Sequence, residues 1–470
     1  MSAPATTEKK YLKWYQKLAY GSGDLASNCS YGLVSSFVLL YLTGTLGLDS
    51  AIIGSLMLAS KVLDGISDVI FGTLIDRTHS KLGKARPWML FGQVGVSLCL
   101  FLLFAIPAGS TTMQYIYFFI VYTALNAVFY TANGIAYSSL VALITKNNNE
   151  RVQLGSFRFM FAVVTNIFMG FAVTGMVEKF GSGAAGWRTT ALIFAIVGLV
   201  VNTISCLAVK ELPEEELSGN TSEAAEEGKA VAEEKKHGFV ETAKILVHNK
   251  YYLMILAIYI VYYIMSNLTT GAGVFCATYY WGDGSLLGQF SMMKMFPVII
   301  ALAIAPVLIK KTGSMQKVNF WGYAISSVLG IPMIYFAMQK NLSMFLLFMF
   351  IKGIFAGTLS GSLNALIAEA SGYTTRTTGV HMDGMMYSCS SLGVKVGGGI
   401  GTAAVGWLLK LGGFVGTATV QSESAIRMIF NLYITFPFVI GIIITVLLAF
   451  LDVEKANKKW DAEHQKEAQA

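Results

Sequence analysis

The stretch Lys61–Asp68 reads KVLDGISD, and apolar sequence flanks it on both sides, AIIGSLMLAS before and VIFGTLI after. Lys61, Asp64 and Asp68 are three and four residues apart, a spacing that stacks them on one helical face. One ammonium and two carboxylates thus share a face in a segment otherwise suited to hydrocarbon. Two carboxylates one turn apart repel, and either a proton or a bound cation relieves them. A small hard cation such as Na+ takes oxygen ligands, and Asp64, Asp68 and the Ser67 hydroxyl between them supply these. Lys61 then holds part of the charge when no cation is bound. The competing reading is a static Lys–Asp bridge between packed helices, for which a single carboxylate would suffice.

A second polar set lies upstream in GSGDLASNCSYGL, where Asp24, Asn28 and Tyr31 recur at i, i+4 and i+7. An acid, an amide and a phenol on one face suit a sugar, whose hydroxyls take paired hydrogen bonds and whose C–H face stacks on a ring. Polar contact between two helices is the alternative. The stretch YTANG repeats the chemistry with Tyr130, Thr131 and Asn133. Arg158, and Lys395 in SSLGVKVGGGIG, are candidates to pair with Asp24 or with Asp64 and Asp68. The glycines around Lys395 admit a neighbouring helix; no strand precedes them, so they are not a dinucleotide loop. Lys294 and Lys352 are expected to snorkel or to sit near span ends, with no assigned role.

Such groups need elements to position them, and the composition says which. Of 470 residues 54% are hydrophobic and 13% charged, with mean hydropathy +0.59; soluble proteins carry about 25% charged residues. Apolar stretches long enough to span a bilayer as helices fall at roughly 18–45, 50–75, 87–108, 112–145, 152–177, 186–209, 252–281, 287–309, 318–338, 343–369, 380–409 and 427–451. The expected fold is an all-α membrane protein of twelve transmembrane helices. The first 17 residues are polar and the first apolar stretch is long, so no cleavable signal peptide is expected. Inter-span segments on one side hold 24 Lys and Arg and those on the other hold five, which places both termini in the cytoplasm. The net charge of +7 is accounted for by those loops, with no nucleic-acid partner. The five cysteines fall inside spans, and the five histidines show no ligand spacing, which argues against a metal site or a membrane enzyme.

Each charge at mid-bilayer costs roughly 2.5–3.5 kcal/mol. The cations inside spans are Lys61, Arg158, Lys294, Lys352 and Lys395; the acids well inside are Asp24, Asp64 and Asp68. They must face one another or water. Residues 210–250, rich in Glu, Ala and Lys, read as a solvated linker. It separates bundles at 1–209 and 251–452, followed by a tail at 453–470. TLIDRTHSK after the second span echoes VLIKKTGSM after the eighth, and SSLVALIT in the fourth echoes GSLNALIA in the tenth. Two echoes in corresponding places favour a duplicated six-helix unit.

DGISDVIFGTLIDRTHSKLGKARPW (64–88) resembles the signature of the glycoside–pentoside–hexuronide:cation symporters of the major facilitator superfamily, of which the melibiose carrier is the best-known type. YGSGDLASN, NERVQLGSFR and the lysine of a Gly/Ser-rich eleventh span follow in the family's order, so the resemblance runs over nearly the whole chain. It implies two pseudo-symmetric six-helix bundles in the plasma membrane and symport of a glycoside, pentoside or hexuronide with Na+ or H+, without a cofactor and as a monomer. It places the cation at Asp64 and Asp68 with Ser67 between them and Thr131 nearby. Asp24 and Arg158 match its sugar-binding acid and base, with Tyr31 and Tyr130 close, and Lys395 matches a lysine approaching both sites. The loop bearing Asp76, Arg77, Lys84 and Arg86 would gate the cytoplasmic side. Two departures stand out: Gly134 occupies the place of a second sugar-binding acid, and EASGYTTRTTG (369–379) replaces an acidic stretch. The rival expectation is a transporter of a lysolipid or other amphiphile, its head-group held by Arg158 and Lys395.

Overall fold

The computed structural model describes residues 9–213, 216, 245–379, 383–418 and 420–467, and every regular element among them is helical. Among the described residues eleven helices are long and apolar enough to cross a bilayer: α1 Trp14–Thr45, α3 Arg86–Leu103, α4 Thr111–Ile144, α5 Asn148–Lys179, α6 Gly183–Leu207, α7 Lys250–Tyr280, α8 Leu286–Thr312, α9 Met315–Met338, α10 Leu342–Thr378, α11 Met385–Leu411 and α12 (423–450). The charged α2, Ser50–Asp76, is 27 residues long and makes twelve. A polar helix, α13 Val453–Glu467, follows. Most of the expected linker, residues 214–215 and 217–244, lies outside the described residues.

Side-chain caps start many of these helices. Asp49 accepts hydrogen bonds from the amides of Ala51 and Ile52 at the head of α2. Asn147, Asn249, Ser314 and Asn341 cap α5, α7, α9 and α10 in the same manner. Each satisfies amides that an isolated first turn leaves bare. At the other end of α10, Gly379 turns left-handed at φ 72° and stops the helix. The stretch 369–379 is therefore a helical extension of the tenth span, about two turns beyond its expected end.

Residue contacts divide the chain into two units. The first comprises residues 1–220 with 277–288 and 406–425; the second comprises 221–276, 289–405 and 426–470. In the first, Leu12, Tyr20, Met89, Tyr137 and Leu140 form part of a buried core. The returning segment 406–425 seats on the head of α2: Ser50 Oγ donates to Gly406 O at 2.9 Å, Trp407 Nε1 donates to Ser55 Oγ at 3.0 Å, and Lys410 Nζ lies 2.5 Å from Asp49 Oδ2. In the second unit, Tyr252, Tyr259, Tyr323, Leu359 and Leu366 are among the buried core.

The two halves share a fastening. Glu211, just after α6, accepts from the amides of Lys84, Ala85 and Arg86 at the head of α3, at 2.7, 3.0 and 3.0 Å. Glu454, just after α12, accepts from the amides of Met315 and Gln316 at the head of α9, at 2.8 and 3.0 Å. In each half a carboxylate past the sixth helix closes the positive end of the third. Spans one and seven also both end in a π-helical turn, Tyr41–Thr45 and Cys276–Tyr280.

Candidate functional site

On α2 the charges turn inward and the apolar residues outward. Val62, Leu63, Ile66, Val69 and Ile70 are exposed, whereas Asp64 is only 6% exposed. Lys61 Nζ lies 3.5 Å from Asp64 Oδ2. On the other carboxylate oxygen, the Thr131 hydroxyl sits 2.7 Å from Oδ1, and its proton is shared with Asn126 O at 2.9 Å. Thr131 comes to this place because a π-helical turn, Ala124–Tyr130, immediately precedes it on α4. One inserted residue rotates everything after it by about 100° relative to a regular helix. Asp68 is partly buried one turn on. The Ser67 hydroxyl, by contrast, donates to Asp64's backbone carbonyl at 2.9 Å, so it is spent on its own helix in this arrangement.

The second cluster joins α1, α4 and α5. Arg158 Nε lies 2.5 Å from Asp24 Oδ2, and the guanidinium stands over the Tyr137 ring at 4.2 Å. Tyr137 Oη reaches the same Oδ2 at 3.3 Å while lying 2.8 Å from Tyr20 O. The Arg158 guanidinium also lies within hydrogen-bond reach of the Tyr20 side chain. A carboxylate and a guanidinium thus stand side by side, acceptor beside donor, a pairing suited to sugar hydroxyls. Asn28 donates to Asp24 O at 2.7 Å and accepts from Asn166 at 2.9 Å. Tyr31 and Tyr130 stack with ring centres 5.7 Å apart and planes at 28°.

Not every expected residue joins these clusters. Asn133 is buried against α3, where its amide donates to Met89 O at 3.0 Å and to Gln93 Oε1 at 3.1 Å. It packs helices. A Cβ placed on Gly134 would meet nothing within 4 Å, so the position of the family's second acid is open. Asp76 and Arg77, at the end of α2, are exposed. Arg86 bonds within its own unit, to Cys206 O at 3.2 Å and Leu82 O at 3.3 Å, and the Lys84 amide is held by Glu211. Lys395 belongs to the second unit, inside the π-helical turn Gly393–Gly397. The glycines beside it let α7 approach: a Cβ on Gly401 would lie 2.6 Å from Ile264 O.

Tyr137 and Asn166 were not among the expected site residues. Tyr137 lies seven residues beyond Tyr130 and Asn166 eight beyond Arg158, helical spacings that keep each on its partner's face. No group of three or more His, Cys, Asp or Glu side chains suited to a metal occurs among the described residues.

Residues 19–455 match the family described as MFS/sugar transport protein. The chain belongs to that family. Its relatives include the isoprimeverose transporter of Lactiplantibacillus pentosus, 26% identical over 100% of this chain and 96% of that one. A putative glycoside/cation symporter of Escherichia coli K12 is 24% identical over 95% and 93%. Among solved structures, a bacterial homologue of the lysosomal transporter Spinster superposes with a TM-score of 0.69 at 13% identity, covering 95% of this chain and 98% of that one. A D-xylose-proton symporter gives 0.64 at 12% identity, covering 94% and 98%. At such identities the likeness is one of fold, the multi-pass helical fold of major facilitator transporters.

Proposed function

We propose that this chain is a secondary active symporter that carries a glycoside, pentoside or hexuronide into the cell with Na+ or H+, from the plasma membrane and with both termini cytoplasmic. The observation carrying this is Asp64: a carboxylate buried on a membrane helix, flanked by a hydroxyl and an ammonium, with Asp68 one turn away. A static bridge would leave Asp68 unexplained. The glycoside and isoprimeverose named for relatives favour a sugar over an amphiphile.

The cation binds between Asp64 and Asp68, displacing Lys61 and borrowing the Thr131 hydroxyl. Neutralising the pair lowers the cost of holding two carboxylates in hydrocarbon. Thr131 and Tyr130 are consecutive on α4, so a change at the acids is passed directly to the Tyr31–Tyr130 stack and the Asp24–Arg158 pair. The sugar raises cation affinity by the same factor, because coupling free energy is reciprocal. Transport then proceeds by alternating access of the two bundles, with the Asp76–Arg86 loop gating the cytoplasmic side. One monovalent cation moving down 100 mV supplies about 2.3 kcal/mol, roughly 50-fold accumulation before any concentration gradient.

The test is uptake of a sugar panel into vesicles with and without Na+ at two pH values, repeated with Asp64→Cys and Asp68→Cys. Both variants should lose uphill accumulation. Uphill transport surviving in either refutes the cation assignment.

A further inference from the structure

The two units treat intramembrane charge differently. In the first, Arg158 is paired with Asp24 and Lys61 with Asp64. In the second, Lys294 on α8 and Lys352 on α10 line one cavity of about 180 Å³, far more than the ~10–15 Å³ that admits a water. No acid lines it. Between Lys250 and Ala368 the sequence holds a single acid, Asp283, which lies between α7 and α8. Lys294 Nζ donates only to hydroxyls, those of Thr269 at 3.2 Å and Thr270 at 3.3 Å. Among the described residues no carboxylate lies within ion-pair reach of either lysine.

The pairing of the two cations is built into the helix contact. Gly353, Gly357 and Gly361 form a small-residue stripe on α10 beside Lys352. A Cβ on Gly353 would lie 2.8 Å from Pro297 Cβ and one on Gly357 would lie 2.7 Å from Ala301 Cβ. The stripe therefore seats α10 directly on α8, and Lys294 and Lys352 flank that seam. Hydroxyls complete the wall: Tyr262 and Ser360 lie 2.8 Å apart, and Tyr323 and Tyr433 also line the cavity. Two ammonium groups with only neutral donors and acceptors around them leave a cavity whose charge is unbalanced and positive. A cavity walled by aromatic rings and hydroxyls takes a polyol bearing that charge.

We infer that Lys294 and Lys352 form an oxyanion site in the second unit that takes the carboxylate of a uronic-acid sugar. This rests on the symport reading above and adds acidic sugars, held by these lysines, to what the protein carries. The shared chemistry, a carboxylate or phosphate oxygen on paired lysines, is also offered by an anionic lipid head-group, and the test separates the two.

The experiment uses the full chain in neutral phosphatidylcholine vesicles with a cation gradient. Uptake of radiolabelled methyl glucuronide is compared with that of methyl glucoside for the native protein, Lys294→Met, Lys352→Met and each Lys→Arg. Each Met variant should lose about tenfold or more in glucuronide uptake, the scale of one charged hydrogen bond, with glucoside uptake within twofold. The Arg variants should retain most of it. On purified native protein, glucuronate but not glucose should raise the thermal midpoint, a readout that holds even if a Met variant misfolds. Equal losses for both sugars, or no midpoint shift with glucuronate, overturn the inference. So does lysine-dependent stabilisation by phosphatidylglycerol with none by glucuronate, which would assign the site to a lipid. Native protein that takes up glucoside but not glucuronide sinks this inference alone; native protein that takes up neither sugar with any cation sinks the symport reading itself.

Discussion

At the scale of single residues, Thr131 is the sharpest probe. Its hydroxyl reaches Asp64 Oδ1 at 2.7 Å, so Thr131→Val removes a charged hydrogen bond worth about 1.5–3 kcal/mol while preserving shape. The cation concentration for half-maximal uptake should rise by roughly 10-fold or more, with transport at saturating cation largely kept. Gly134→Asp tests a different point. With open space beyond the backbone, the variant meets no steric bar and should alter which sugars compete for uptake. Lys61, Asp64 and Asp68 were legible because charge inside a membrane span is rare and costly, so its presence is informative. Tyr137 and Asn166 were not, since tyrosine and asparagine are unremarkable in spans and only the fold brings them to Asp24 and Asn28. Asn133 is likewise placed by the fold. Its spacing from Tyr130 fits the site, but its short side chain is turned to Met89 and Gln93 on α3.

At the scale of helices, the twelve spans were readable from length and hydropathy, while their irregularities were not. The π-helical turns at 124–130 and 393–397, which position Thr131 and carry Lys395, leave no mark in the hydrophobic pattern. Nor does the run of α10 to Thr378, because Thr, Ser and Tyr neither favour nor forbid a last helical turn. The caps offer direct tests. Glu211→Gln and Glu454→Gln should each lower the melting temperature, by similar amounts, since each closes the third helix of its half. Asp49 both caps α2 and meets Lys410. Asp49→Ala should cost about 1 kcal/mol for the cap. Burial opposes ionisation of Asp49, but the Lys410 ammonium and the amides of Ala51 and Ile52 outweigh it and hold its carboxyl below the ordinary value. A lowered folded-state value means the stabilisation is complete above the ordinary range, near pH 3.9, and is lost as pH falls below it. The difference in thermal stability between native protein and Asp49→Asn should thus be present at pH 7 and fade in strong acid.

At the scale of the molecule, the duplicated architecture was visible in two short echoes, and the structure adds the paired glutamate fastenings at Glu211 and Glu454. The division of contacts follows the chain less simply than the linker implied. Residues 277–288 and 406–425 are grouped with the first unit, and Gly406, Trp407 and Lys410 fasten to the head of α2. This has a bearing on biosynthesis. The earliest-made bundle cannot be finished when its own six helices leave the ribosome, because pieces it closes around are encoded nearly at the far terminus. A nascent chain arrested near residue 300 should leave a cysteine introduced at Ser50, which is 4% exposed in the full chain and covered by Gly406, open to a soluble thiol reagent, and release of the full polypeptide should shield it. The oldest part of the protein is sealed among the last events of its maturation.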